Sequence, residues 1–424
     1  MEQTGGDAPK WPFCGHCGRA IPKDSRFCPY CGASTSLPRS VPAYSPYLYS
    51  SLPKETTWQK TRRFAAIVVA FVTLAVLIEV ALNVVLLLWG VTIIAPNSGL
   101  HFPIFIVTPF IVTLFEVTGP AFLLYLGFIV VCIVASFAFM TWKSWRTFNE
   151  ELMGIRPKGG HSPLFVIATI FFAVVFFNVI FVLLVQAFGV EPSSPGLEDQ
   201  DLWEIMYDLA NASIWEEVIT RVLYIGVPLL LYDLVTGHRK PARRYLLGGG
   251  FELKGAAIFF LFFSAGMFGV AHVFNWDLWK IAPTFVSGLG LGYLFLRYGL
   301  YASVMMHFFV DYLAMPTYVF ESDLADVAVG LLTLAILAAG FICFVYYLGK
   351  VYTFLTGKEI ILEKPVTTGG TVVVDQYNVS VPPPVQSSLP TPQTGFGFVC
   401  RYCGNTEARY HDGTLTCTRC QRKN

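Results

Sequence analysis

From Phe64 onward the chain alternates long apolar runs with short polar connections, whereas its first 53 residues and residues 364–397 are polar, turn-rich and dense in Pro, Ser and Thr. About 20 apolar residues cross a bilayer as a helix. On that measure the pattern predicts eight spans, near 64–95, 102–141, 163–189, 206–234, 255–275, 281–297, 300–320 and 326–349. The second run is too long for one crossing. Pro103, Pro109 and Gly119-Pro120 interrupt it and predict a break with an interfacial piece. No internal repeat is evident, and no signal peptide is expected, because the polar start lacks an apolar h-region.

Composition sharpens this picture. Apolar residues make up 54% of the 424 and charged residues 13%, against about 25% charged in soluble domains. With a mean hydropathy of +0.57, the chain reads as a polytopic membrane protein. A net charge of +1 offers no basic field, so no nucleic-acid partner is expected. Where the charges fall is more informative. Sixteen Lys and Arg, from Lys54 to Lys358, lie before span one and in every second connection. The alternate connections hold only Lys280 and are otherwise acidic (Glu191, Glu198, Asp199, Asp201, Glu321, Asp323, Asp326). The positive-inside rule then places both termini in the cytoplasm.

Eight of the ten cysteines form four C-x-x-C pairs: Cys14/Cys17, Cys28/Cys31, Cys400/Cys403 and Cys417/Cys420. Cys132 and Cys343 sit singly in apolar runs. Each end thus offers four thiolates, enough for a closed tetrahedral zinc site. Gly follows the second cysteine in three of the four knuckles, as the tight turn requires. A redox reading lacks any thioredoxin-like context, and His16 and His411 are superfluous where four sulfurs suffice. Two structural zinc ions are therefore expected, on ribbons that bind a protein partner. Zinc thiolates persist in reducing compartments, which agrees with cytoplasmic ends. The expected fold is an all-α polytopic membrane protein with about eight transmembrane helices and two small β-type zinc ribbons. Its expected parts are a ribbon at 10–34, a linker at 35–62, membrane helices at 63–162, a core at 163–350, a disordered linker at 364–397 and a second ribbon at 398–422.

An ionisable side chain in mid-bilayer costs about 2.5–3.5 kcal/mol on insertion scales, which makes each one a functional hypothesis. Span four contains W-E-E-V-I-T-R. There Glu217 and Arg221 are i,i+4 neighbours able to pair, while Glu216, turned by about 100°, is left for general-base chemistry. Span five contains F-G-V-A-H, with Phe268 and His272 one turn apart and Gly266 and Gly269 thinning the helix for a close neighbour. His272 falls near the non-cytoplasmic end of that span, which implies a broken-helix cavity or lateral access from the bilayer. Span seven contains H-F-F-V-D, where Asp311 is placed to accept an N–H from His307 and set its tautomer. Converging, these groups could activate water directly or hold a metal that does so. Glu79 with Asn83, and Glu116, read instead as hydrogen bonding between helices.

Those three motifs in that order, in a polytopic chain, resemble the CPBP (Abi) family of intramembrane proteases, which includes the type II CAAX prenyl endopeptidases. The resemblance covers roughly residues 163–320. It implies a membrane-embedded peptidase, metallo- or glutamate-type, that hydrolyses a peptide bond in a membrane-associated or prenylated polypeptide. Carried over, Glu216 and His272 would activate water, His307 and Asp311 would face the oxyanion, and Glu217 and Arg221 would be the supporting pair. The last motif position is often Asn in the prenyl-protein proteases and is Asp311 here, which weakens an oxyanion role for it, since an ionised Asp cannot donate. Some family members act as immunity or scaffold proteins, so a non-enzymatic scaffold is the rival expectation. Cytoplasmic ribbons on a short membrane protease point to a prokaryotic cell membrane.

Overall fold

The computed structural model describes residues 19–21, 25, 27–31, 57–107, 110–155, 157, 160–192, 199–358, 408–411 and 414–417. Cys14, Cys17, Cys400, Cys403, Cys420 and His16 lie outside them, as do the linkers from 35 to 56 and 364 to 397. The chain divides into two units, Met1–Pro365 and Val366–Asn424.

The first unit is a helical assembly built from the predicted apolar runs. Its long helices are α1 (Thr57–Ile94), α2 (Gly119–Leu152), α3 (Pro163–Ala187) and α12 (Asp323–Thr356). Span four is a composite of α4 (Leu202–Glu217), a nine-residue π-helical segment (Val218–Gly226) and α5 (Val227–Thr236). Short helices complete it: α6 (Ala242–Leu247), α7 (Ala256–Ala271), α8 (Val273–Trp276), α9 (Ile281–Arg297), α10 (Leu300–Tyr312) and α11 (Met315–Phe320). Among the described residues, five helical stretches are long and apolar enough to cross a membrane: Lys60–Gly99, Gly119–Leu152, Pro163–Ala187, Leu202–Thr236 and Asp323–Thr356. By that measure the count reaches five of the expected eight, because α7, α9 and α10 are shorter. At 1.5 Å per residue α7 and α9 run only about 24–26 Å, against about 57 Å for α1.

Two expectations need correction. The start of the 102–141 run is not helical. Phe102–Val107 (β1) and Ile111–Val117 (β2) form an antiparallel hairpin, with the helix beginning only at Gly119. β-Branched and aromatic residues dominate both strands, and the prolines at 103 and 109 oppose a helix. This hairpin is a local exception in a unit that is otherwise helical, as the all-α expectation had it. Glu116 also lies on this hairpin, exposed and 2.9 Å from His101 Nδ1, rather than between helices.

Packing follows polarity. α3 is buried on all sides over Leu164–Val174, and α10 over Ala302–Phe309, as helices apolar all round should be. The outer helices expose large apolar side chains, such as Phe64, Phe71, Ile78 and Val85 on α1, which lipid would cover. Polar clamps set the inner helices. Asn83 bonds Glu79 on α1 and donates to the Tyr312 carbonyl of α10 at 2.8 Å, while the Tyr312 hydroxyl donates to the Met206 carbonyl of α4. Below this lies a second apolar cluster, with Ile225, Tyr245, Phe251 and Phe295. Gly248, Gly249 and Gly250 all have positive φ (69, 85 and 72°), so that loop can hydrogen-bond along the end of α9.

In the second unit, Ala408–His411 (β3) and Thr414–Cys417 (β4) pair antiparallel. In the N-terminal segment Cys28 is buried beside Ile21.

The α3–α12 contact is close enough to test. A Cβ at Gly340 would strike the Phe172 carbonyl, whereas one at Gly330 meets nothing within 4 Å. Gly340→Leu is therefore expected to destabilise by roughly 1–3 kcal/mol, read as a lowered Tm in detergent, while Gly330→Ala leaves Tm unchanged.

Candidate active site

The π segment sets the local geometry of span four. Val227 N–H bonds the Val222 carbonyl five residues back, not four. Pro228 lacks the N–H that a regular ladder would need at the next position, and such widened turns recur at functional sites. The segment begins directly after Glu217. It keeps Arg221 on the side of Glu217: Arg221 Nε donates to Glu217 Oε2 at 3.0 Å and Nη2 to Oε1 at 3.4 Å. Both side chains are fully buried. From α7, Ser264 completes the group, accepting from Arg221 Nη1 at 2.8 Å and donating to the Thr220 carbonyl.

Glu217 also reaches α10. Its Oε1 lies 3.0 Å from His307 Nδ1. A carboxylate oxygen accepts, so Nδ1 carries the proton and Nε2 points the other way. Asp311 was expected to set this tautomer; the structure assigns that contact to Glu217. Asp311 Oδ2 stands instead on the opposite side of the ring, 3.5 Å from Nε2, and receives the Ser213 hydroxyl at 3.3 Å.

His272 is anchored in the same manner by a different acceptor. Its Nδ1 lies 2.8 Å from the Phe268 carbonyl one turn back, which again leaves Nε2 facing outward. The Phe268 ring packs edge-on against both imidazoles, with centroids 4.7 Å from His272 and 5.9 Å from His307. Gly269 admits α9 as expected, since a Cβ there would sit 3.1 Å from the Ile281 carbonyl. Gly266 does not, with nothing within 4 Å of its Cβ position.

Glu216 is where these groups meet. Its Oε2 lies 4.0 Å from His272 Nε2 and 3.8 Å from His307 Nε2, and is buried with no hydrogen-bond partner among the described residues. The carboxylate opens into a cavity of about 210 Å³, lined also by Ile219, Thr220, His272 and Trp276. Phe268 and Ala271 of α7 line it too, and Phe105, Val107 and Ile111 of the hairpin form another wall. The hairpin is fixed there by Trp215, beside Glu216, whose Nε1 donates to the Phe105 carbonyl at 2.7 Å. Strand alternation explains the fit: Phe102 and Ile104 point into the core, and Phe105 and Val107 to the other face.

The structure thus brings together all six polar residues singled out in spans four, five and seven. Sequence reasoning missed Ser213, Ser264, Trp215 and the hairpin wall. Only Gly226-Val227-Pro228, inside an apolar run, signalled the irregular helix. Among the described residues no three His, Cys, Asp or Glu side chains form a metal-ligating group.

Residues 198–313 match the family model of the type II CAAX prenyl endopeptidase Rce1-like proteins, and residues 13–35 match that of a zinc-ribbon domain. The first match is narrower than the 163–320 of the resemblance, yet it includes all six residues. No curated protein and no solved structure matches the chain. The helices that bear the cluster are therefore similar, over residues 198–313, to the Rce1-like protease domain, in a chain whose apolar helices fit an integral membrane protein and whose residues 13–35 are similar to a zinc ribbon.

Proposed function

We propose that the protein is an intramembrane endopeptidase that cuts a membrane-associated or prenylated polypeptide with a water activated by Glu216. The observation that carries this reading is the buried, unpartnered Glu216 Oε2 facing two imidazole Nε2 atoms within 4.0 Å.

The chemistry follows from the anchored tautomers. Neutral His272, with Nδ1–H given to Phe268, presents a bare Nε2, which is an acceptor. Glu216 Oε2 is a second acceptor. A water whose two protons face these groups directs a lone pair away from them, toward a carbonyl carbon held in the cavity. Attack transfers a water proton to Glu216, which then protonates the leaving amine. His307 faces the developing oxyanion: the ring protonated on both nitrogens donates Nδ1–H to Glu217 and Nε2–H to oxygen. Asp311 accepts only, so its role is to hold His307.

At the ribbons the donor chemistry does fit a metal. Cys14, Cys17, Cys28 and Cys31 would hold one structural zinc, and Cys400, Cys403, Cys417 and Cys420 a second, supplying folding energy to modules with little core. The charge pattern supports a cytoplasmic side for both ribbons, where they would recruit a protein partner or substrate.

Three outcomes are expected. In proteoliposomes with fluorogenic prenylated C-terminal peptides, Glu216→Gln slows cleavage by about 10²–10⁴-fold at unchanged Tm. Equal processing by wild type and variant, or by neither, would sink the peptidase reading in favour of a scaffold. Arg221→Met, by contrast, strands a buried Glu217 and should cost about 3–5 kcal/mol, seen as loss of folded monodisperse protein. Elemental analysis should give two zinc ions per chain, falling to one with Cys28→Ser/Cys31→Ser.

A further inference from the structure

Lys280 is the lone cation of the otherwise acidic connections, and nothing in the hydrolytic scheme uses it. It closes the 3-10 turn Leu278–Lys280 between α8 and α9. Its Nζ stands 3.7 Å from the Trp276 ring centroid and 5.2 Å from that of Trp279. Trp276 belongs to the wall of the cavity that holds Glu216 and His272. Trp279 and Lys280 line a second cavity of about 230 Å³, whose other walls include Val179, Val182, Leu183 and Pro283. The ammonium therefore lies against a wall residue of the first cavity and itself lines the second, where Asn178 is the one polar side chain beside the aliphatic ones and the Lys280–Trp279 pair.

Its charge has no close counterpart. Among the described residues no carboxylate oxygen lies within 4 Å of Nζ. Asp311 and Glu216 act on it only from farther away, and burial pulls its pKa down to about 8. Beside it the Trp279 Nε1 is buried without a hydrogen-bond partner among the described residues. Two neighbouring N–H donors, one cationic, match the two oxygens of a carboxylate. The aliphatic wall suits the apolar part of the residue that bears it.

We propose that Lys280, assisted by Trp279, is a specificity residue that binds a carboxylate of the polypeptide being cut, either its C-terminus or an acidic side chain. This rests on the endopeptidase reading above. The carboxylate anchors the segment next to the scissile bond, and the chain between anchor and bond runs past Trp276 to Glu216.

The test uses the full-length protein in proteoliposomes and one cleavable prenylated peptide in four forms. These are unmodified, C-terminally amidated, with Glu and Asp replaced by Gln and Asn, and with both changes. Loss of the bound carboxylate should raise KM by about 10–100-fold with kcat nearly constant, as expected for a charge-assisted bond made equally in ground and transition states. The form that shows the effect identifies the source. Lys280→Met should raise KM for the unmodified peptide equally and abolish the discrimination, and Lys280→Arg should restore it. Equal KM for all four forms, with Glu216→Gln inactive, overturns the carboxylate site and leaves the peptidase reading intact. So does a Lys280 effect that follows phosphatidylglycerol content instead of the peptide. If wild type cuts none of the four, anisotropy of the labelled peptides decides. Lys280-dependent preference for the carboxylate supports the anchor though the peptidase reading falls; indifferent binding overturns it.

Discussion

The site depends on the ion pair between Glu217 and Arg221, fully buried in a helix that crosses apolar surroundings. Neither charge could stay there alone. Together, with Ser264 taking one guanidinium donor and His307 one carboxylate oxygen, they leave few polar atoms unsatisfied. The pair joins three helices through side chains that all need one another: α4 with its π segment, α7 and α10. His307 is therefore oriented by a group whose own position is held by a buried charge. That is a firmer support than a lone hydrogen bond provides.

Two consecutive glutamates thereby acquire opposite tasks. They differ by about 100° around one helix. Glu217 turns inward to Arg221 and is consumed by structure. Glu216 turns to the cavity, where its buried oxygen meets no donor among the described residues. Placing an unsatisfied carboxylate in such a setting is costly, and the proposed hydrolysis supplies a use for it. Lys280 has a related standing, a charge held near apolar walls without a close partner.

Depth and access arise from helix length and from the hairpin. α7 and α9, at about 24–26 Å, are each shorter than the roughly 30 Å hydrocarbon layer, and His272 follows directly on the last residue of α7. This accounts for a histidine at the end of its helix serving a site that Glu216 approaches from partway along another. The hairpin then closes the side that short helices leave open, with Phe105, Val107 and Ile111 as an apolar wall.

Much of this was legible along the chain, because apolar run length, cation placement and the i,i+4 arithmetic of one helix are local quantities. They sufficed for the membrane class, the Glu217–Arg221 pair and the separate facing of Glu216. Other features depend on contacts between distant segments. Asp311, one turn away in sequence, does meet His307, but at Nε2, whereas the partner of Nδ1 is Glu217, which is near only in space. Residues 102–117 read as apolar and interrupted, a pattern shared by short strands and broken helices, and only pairing with Trp215 and the cavity distinguishes them. Local sequence thus determined which residues must be buried and which helix face each occupies. Tertiary packing alone decided which of them meet, because a hydrogen bond is settled by about 3 Å of distance and not by separation along the chain.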